Sequence, residues 1–157
     1  MSSYDTALVC LHGHLICDSV EEYPNEIQKF CSDCGAETIM ICPSCQKKLR
    51  GHYNHEFFNK VTIVEDYCFN CGKPYPWTIS RLESMQLLIQ EDDELQEQQK
   101  ISLITSLPDI ITETPKTKLA VVRFQKALLS VGKFTAEGLR DFAIDFGCEL
   151  AKKSLGM

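Results

Sequence analysis

The 157-residue chain has no apolar run approaching the roughly 18–20 residues that cross a bilayer as a helix. Clusters such as Leu119–Val122 amount to about one turn. The opening MSSYDTALVC lacks a basic stretch followed by an apolar core, so no secretory leader is expected and the cytoplasm is the expected compartment. Basic charge is in short supply: 16 Lys and Arg face 22 Asp and Glu, a net charge of −6, which is unsuited to a nonspecific nucleic-acid wrapper. Catalytic signatures are missing as well. There is no H-E-x-x-H, no G-x-S-x-G, no phosphate-cradling G-x-x-x-x-G-K-[ST] and no dinucleotide G-x-G-x-x-G. Cysteine is nearly absent after residue 71, where only Cys148 occurs.

Before residue 72 the situation reverses. Eight of the nine cysteines lie between Cys10 and Cys71. Six form C-x-x-C pairs, Cys31/Cys34, Cys42/Cys45 and Cys68/Cys71, a spacing that lets two thiolates meet one tetrahedral ion from a single turn. Gly35 and Gly72 follow two of the pairs, where such a turn needs a positive φ. Three pairs cannot complete two four-ligand sites. The segment Cys10-Leu-His-Gly-His14 offers the missing half-site, with Cys10 and His14 as ligands. Cys17 and His12 are its competitors; Cys17 also reads as a small buried side chain in Leu15-Ile16-Cys17.

Reach limits the pairing. The GAETIMI segment between Cys34 and Cys42 favours an extended chain. Its eight steps span about 26 Å, too far for both pairs to grip one ion. A sequential scheme groups Cys10, His14, Cys31 and Cys34 at one ion and Cys42, Cys45, Cys68 and Cys71 at the other. A cross-braced scheme joins the first pair to the third and the second to the fourth. Hairpin-like strands around every turn favour the sequential one.

Thiolate-rich tetrahedral sites suit zinc or iron, and a histidine ligand tilts the choice toward zinc, two ions per chain. Sites filled by protein ligands support folding and leave no place for a reactive water. Some 75 residues of short strands bury little core. Each ion can contribute on the order of 10 kcal/mol to folding.

Beyond the last pair, Gly72-Lys-Pro-Tyr-Pro-Trp77 is stiffened by two prolines. Tyr75 and Trp77 either form an exposed contact or, as the simpler reading, pack the next helix on the ribbon. Ser80-Arg-Leu-Glu83 resembles a capping box for a helix over about 79–90. A second helix follows Glu91-Asp92-Asp93-Glu94, acids that suit a helix start, and should stop near Leu107 before Pro108. Thr114-Pro115 opens a third, running to about Val131 with Leu119, Val122, Leu128 and Leu129 as its face. Thr135 caps a last helix carrying Leu139, Phe142, Ala143, Phe146 and Leu150, with Cys148 packed inside it. Residues 1–77 thus form a tandem ribbon region and 78–157 a helical region of three to four helices.

Two local features compete for a functional role. Lys47, Lys48 and Arg50, trailed by His52, His55 and Lys60, could touch phosphate or balance the metal thiolates. His52 and His55 are a spare ligand pair. No C-x-x-C precedes a helical pattern in a βαβ setting, so a thiol redox enzyme is not expected.

The series CLHGH, KFCSDCG, ICPSC and CFNCG, then KPYPWT and ETPKTKLA, resembles an uncharacterised bacterial family of unknown function. That family has tandem zinc ribbons and a helical C-terminus, and the resemblance spans nearly the whole chain. Its first half-site tends to read C-x-x-G-H, which implies Cys10 and His14 as ligands here. It implies no activity. The expectation is an α+β protein of two small zinc ribbons followed by helices. It would be non-catalytic and act as a protein-interaction module. The alternatives are a nucleic-acid-binding ribbon protein using Lys47, Lys48 and Arg50, or a thiol-based metal or redox sensor.

Overall fold

The structure, a computed structural model, describes residues 4–54 and 64–157. His55, Lys60 and the first residues of TIVEDYC therefore lie outside the described residues. The chain is α+β, with small antiparallel sheets before residue 54 and five helices from Pro76 onward. It forms two compact units, Met1–Ser80 and Arg81–Met157.

The first unit is built from short hairpins. Strands β1 (Tyr4–Thr6), β2 (Leu8–Cys10), β3 (Leu15–Cys17), β4 (Thr38–Ile39) and β5 (Arg50–Tyr53) make a two-stranded sheet, β1-β5, and a three-stranded sheet, β3-β2-β4. β2 is central and carries its residues fully buried. Its register places Cys10 opposite Thr38, so the turn after Cys10 lies beside the hairpin that bears Cys31 and Cys34. Two further hairpins close on the bridges Ile41–Lys48 and Tyr67–Pro74. The core is small: Ala7, Val9, Leu49, Tyr75 and Trp77 pack with the cysteines Cys42 and Cys68. Tyr75 and Trp77 are thus buried, stacked at 4.7 Å, with the indole N–H donating to the Glu65 carbonyl at 3.0 Å. Gly51 sits where any side chain is forbidden, because a Cβ there would lie 1.9 Å from the Asp18 carbonyl oxygen.

Helix α1 (Pro76–Gln90) starts earlier than its capping-box sequence suggests. Pro76 takes the first helical position, where its fixed φ fits and its missing N–H is no loss, so Ser80 lies inside the helix.

The second unit has its own core, drawn from α2 (Glu97–Ile111), α3 (Thr117–Ser130), α4 (Lys133–Phe146), α5 (Glu149–Leu155) and the later part of α1. Helix α2 runs through Pro108 and does not stop at it. Leu107, Ile110 and Ile111 are all buried, and that burial outweighs the roughly 3 kcal/mol an interior proline costs. Helix α3 begins at Thr117, with Thr114 and Pro115 in the preceding turn. Thr117 is wholly buried and its hydroxyl donates to the Asp109 carbonyl at 2.8 Å, tying the new helix to the end of α2.

The buried face of α3 is also not the expected one. Thr117, Ala120, Val121, Phe124 and Ala127 point inward, while Leu119, Val122 and Leu129 are exposed. Two alanines on the inner face make room for a neighbouring helix, and the larger residues fall outside. The expected last helix divides in two. α4 ends at Phe146, and the amide of Cys148 donates to the Ile110 carbonyl at 2.8 Å before α5 begins. Cys148 is therefore the cap of α5 and not a residue inside a helix. Asp92, far from being a solvated helix-start acid, is 6% exposed. Its carboxylate accepts from the amides of Glu94, Leu95 and Gly132 at 3.0, 3.1 and 3.1 Å.

Candidate metal centres

Four turns carry the ligand atoms; the three C-x-x-C turns close alike, by an amide four residues on, and the Cys10 turn closes one residue sooner. The amide of Gly35 donates to the Cys31 carbonyl at 2.8 Å, that of Gln46 to Cys42 at 2.9 Å, and that of Gly72 to Cys68 at 2.8 Å. In the first half-site Gly13 donates to Cys10 at 2.9 Å and has φ 91°. The residue closing each C-x-x-C turn is left-handed: Gly35 at φ 74°, Gly72 at 72° and, in the middle turn, Gln46 at 63°. Gln46 is the only non-glycine with a positive φ among the described residues. Such a conformation costs a side-chain-bearing residue roughly 1–2 kcal/mol.

The structure brings the ligand atoms into two groups, Cys10, His14, Cys31 and Cys34 in one and Cys42, Cys45, Cys68 and Cys71 in the other. Within each group all ligand atoms lie within 4.8 Å of one another. The grouping is sequential, not cross-braced. His14 is the histidine at the first centre, through Nδ1; Cys17 and His12 belong to neither group. Cys17 is buried in β3 opposite Leu8, and burial raises its thiol pKa.

The edges of the two groups test whether an ion fits. Metal–sulfur bonds of about 2.3 Å in a tetrahedron set sulfurs about 3.8 Å apart, and a metal–nitrogen bond of about 2.0–2.1 Å sets sulfur and nitrogen about 3.6 Å apart. Cys10 and Cys34 lie 3.7 Å apart, Cys45 and Cys68 3.7 Å, and Cys42 and Cys71 3.8 Å. His14 Nδ1 is 3.4 Å from Cys10 Sγ and 3.6 Å from Cys31 Sγ. A square-planar ion with the same bonds would draw neighbouring sulfurs to about 3.3 Å, and a disulfide to about 2.05 Å. The donor sets fit a tetrahedral ion.

Backbone amides prepare the sulfurs for it. Burial pushes the Cys31 thiol up, but the amides of Asp33 and Cys34, with Cys34 and His14 beside it, outweigh that and bring it down to about 7. At Cys68 burial is likewise overcome by the amides of Cys71 and Asn70 and by the neighbouring thiols, to about 6. Cys71 benefits from the Lys73 amide, yet burial and the three other cysteines push it up to about 11. A thiolate forms readily on the first cysteine of the last turn and is resisted on the second until a cation shares the charge. The centres differ in surroundings. His14 and Cys34 are exposed in the first, whereas in the second Cys42 and Cys68 are buried and Cys45 and Cys71 half-buried.

The basic cluster is largely spoken for. The Arg50 guanidinium stacks between the rings of Tyr4 and Phe69, 4.9 and 4.3 Å from their centroids, and pairs with Glu65. Lys48 Nζ lies 3.6 Å from Glu21. Tyr4, Glu21, Lys48, Arg50 and Phe69 line a cleft of about 620 Å³ beside the second centre. Of its acids, Asp5 accepts from the Ser19 hydroxyl at 2.7 Å and Glu21 from the Thr6 amide at 2.8 Å. The sequence offered no signal for the Arg50 stack, because Tyr4, Arg50 and Phe69 are far apart in the chain.

Paired knuckles, each group supplying four protein ligands, and a following all-helical unit define a tandem metal-ribbon protein. The chain belongs to DUF2321, a family described as an uncharacterized protein conserved in bacteria, whose model matches residues 3–155. No curated protein and no solved structure matches it.

Proposed function

We propose that the chain is a non-catalytic zinc protein of the cytoplasm, holding two structural ions and acting as a protein-interaction module. The observation that carries this reading is the pair of four-ligand groups, every ligand atom within 4.8 Å of the others in its group and five of the edges at the tetrahedral 3.4–3.8 Å. Four protein ligands leave no coordination position for water, so the ions brace the fold and do not activate a nucleophile. One imidazole among the thiolates favours zinc over an iron site, and thiols kept reduced for a metal suit a reducing compartment.

Charge supports a protein partner over nucleic acid. Four thiolates on a divalent ion net −2, and three with a neutral imidazole net −1, which makes an already acidic chain more negative. Lys48 and Arg50 already pair with Glu21 and Glu65. Leu129 and Phe134, 90% and 79% exposed, flank the α3–α4 turn and offer apolar area to a partner. Metal-loaded chain used as bait in a nuclease-treated bacterial lysate should retain a reproducible protein that L129K/F134K bait loses. A salt-dependent shift of RNA or DNA abolished by K47A/K48A would replace this reading with the nucleic-acid one.

A further inference from the structure

Tyr75 carries a hydroxyl with no evident use. The residue is 2% exposed, and its oxygen is buried with no hydrogen-bond partner among the described residues. Its ring packs in the core with Cys42 and Cys68 and stacks on Trp77. The hairpin register explains the placement. Tyr67 bridges Pro74, and the Tyr75 amide donates to the Asp66 carbonyl at 3.0 Å, so the strand leaving the last knuckle returns alongside Cys68. Phenylalanine would supply the same packing without a buried unpaired hydroxyl, a penalty on the order of 1–3 kcal/mol. The ring's buried neighbours include the sulfurs of Cys42 and Cys68, and a neutral phenol can donate its proton to a thiolate, which has none to give.

We infer that Tyr75 is a positioning residue of the second centre, its O–H donating to the metal-bound Cys68 thiolate. This rests on the metal-binding reading above. Charge gives the reason for its location. Each centre buries two of its ligands; the four-thiolate centre nets −2 and half-buries the other two, Cys45 and Cys71, while the first nets −1 and leaves His14 and Cys34 exposed. A buried doubly negative centre needs a donor that the exposed one obtains from solvent. Drawing charge from the Cys68 sulfur lowers its nucleophilicity and steadies the ion.

The test compares wild-type full-length chain with Tyr75→Phe, each loaded with zinc and with cobalt. Wild type should bind two ions. Y75F should bind its second-centre ion ten- to a hundredfold more weakly in competition with a chelator, the usual range for lost outer hydrogen bonds. Its sulfur-to-cobalt charge-transfer band should move to lower energy, and Cys68 should alkylate faster by mass mapping, while Cys31 and Cys34 keep their rates. An orphan hydroxyl predicts the opposite sign: Y75F equal or tighter in affinity, with an unchanged cobalt band, overturns the inference and leaves the two-ion reading intact. Wild type binding no metal overturns both. Should Y75F fail to fold, 4-fluorophenylalanine at 75 replaces it, and recovery of wild-type affinity by that ring, which lacks a donor, contradicts the inference.

Discussion

Gln46 shows how much one backbone angle matters in these turns. It occupies at φ 63° the place that Gly35 and Gly72 fill in the other two knuckles. Replacing Gln46 by glycine removes the left-handed cost but adds unfolded-chain entropy, so Gln46→Gly should stabilise the metal-loaded first unit by about 0.5–1 kcal/mol. Gly72→Ala should cost about 1–2 kcal/mol, although nothing lies within 4 Å of its Cβ position. Denaturation of the loaded protein followed by tryptophan fluorescence reads both. At Asp92 the decisive interaction is a set of hydrogen bonds. Burial raises its carboxyl pKa, but Thr135 and the amides of Gly132, Glu94 and Leu95 outweigh that and lower it overall. A depressed folded pKa contributes stability that is complete above the ordinary value near 3.9 and disappears as pH falls through the folded value. Asp92→Asn should therefore lose about 1–3 kcal/mol of helical-unit stability at neutral pH and lose less of the remainder on acidification. Urea melts monitored by far-ultraviolet circular dichroism at pH 7 and pH 3 test the sign.

Elements divide by what holds them. Strands of two to four residues with a buried cluster of seven among the described residues are expected to need the ions, whereas the helical unit has its own core of fifteen buried side chains. Chelation should unfold the first and spare the second. Trp77, the only tryptophan, belongs to the first unit, so its emission should shift red on chelation while most helical ellipticity at 222 nm survives. Loss of both signals together would contradict independent stabilisation. The same division explains what the sequence reveals. C-x-x-C is a local pattern dictated by ligand geometry, so the turns and their α+β setting are legible from residue spacing alone. Helix boundaries are less so, because tertiary packing decides them. Pro108 is carried through by buried Ile110 and Ile111, and α3 turns its alanines inward against the larger leucines. Gly147 and Cys148 break the last helix because the Cys148 amide finds Ile110 in another helix, a contact no local pattern contains. Tyr75 stands between the two cases, since the Tyr67–Pro74 hairpin register would place it beside Cys68 once the knuckle is recognised.

For the molecule as a whole, two tetrahedral Cys/His groups and a helical unit lead to the expectation of a division of labour, ion binding shaping one part and apolar burial the other. None of the described helices is long and apolar enough to cross a membrane. The two groups also set an order of loss. The first centre, with His14 and Cys34 exposed, should surrender its ion to a chelator before the second. Stepwise zinc release monitored with a metallochromic dye should show two phases, the faster removed by His14→Ala. A single phase would show that the centres act as one unit.

Elemental analysis of the purified full-length chain, combined with sulfur X-ray absorption, tests the central claim most directly. The account predicts two zinc ions per polypeptide and sulfur spectra dominated by metal-bound thiolate. Fewer than one ion per chain, or sulfurs joined as disulfides, would contradict it.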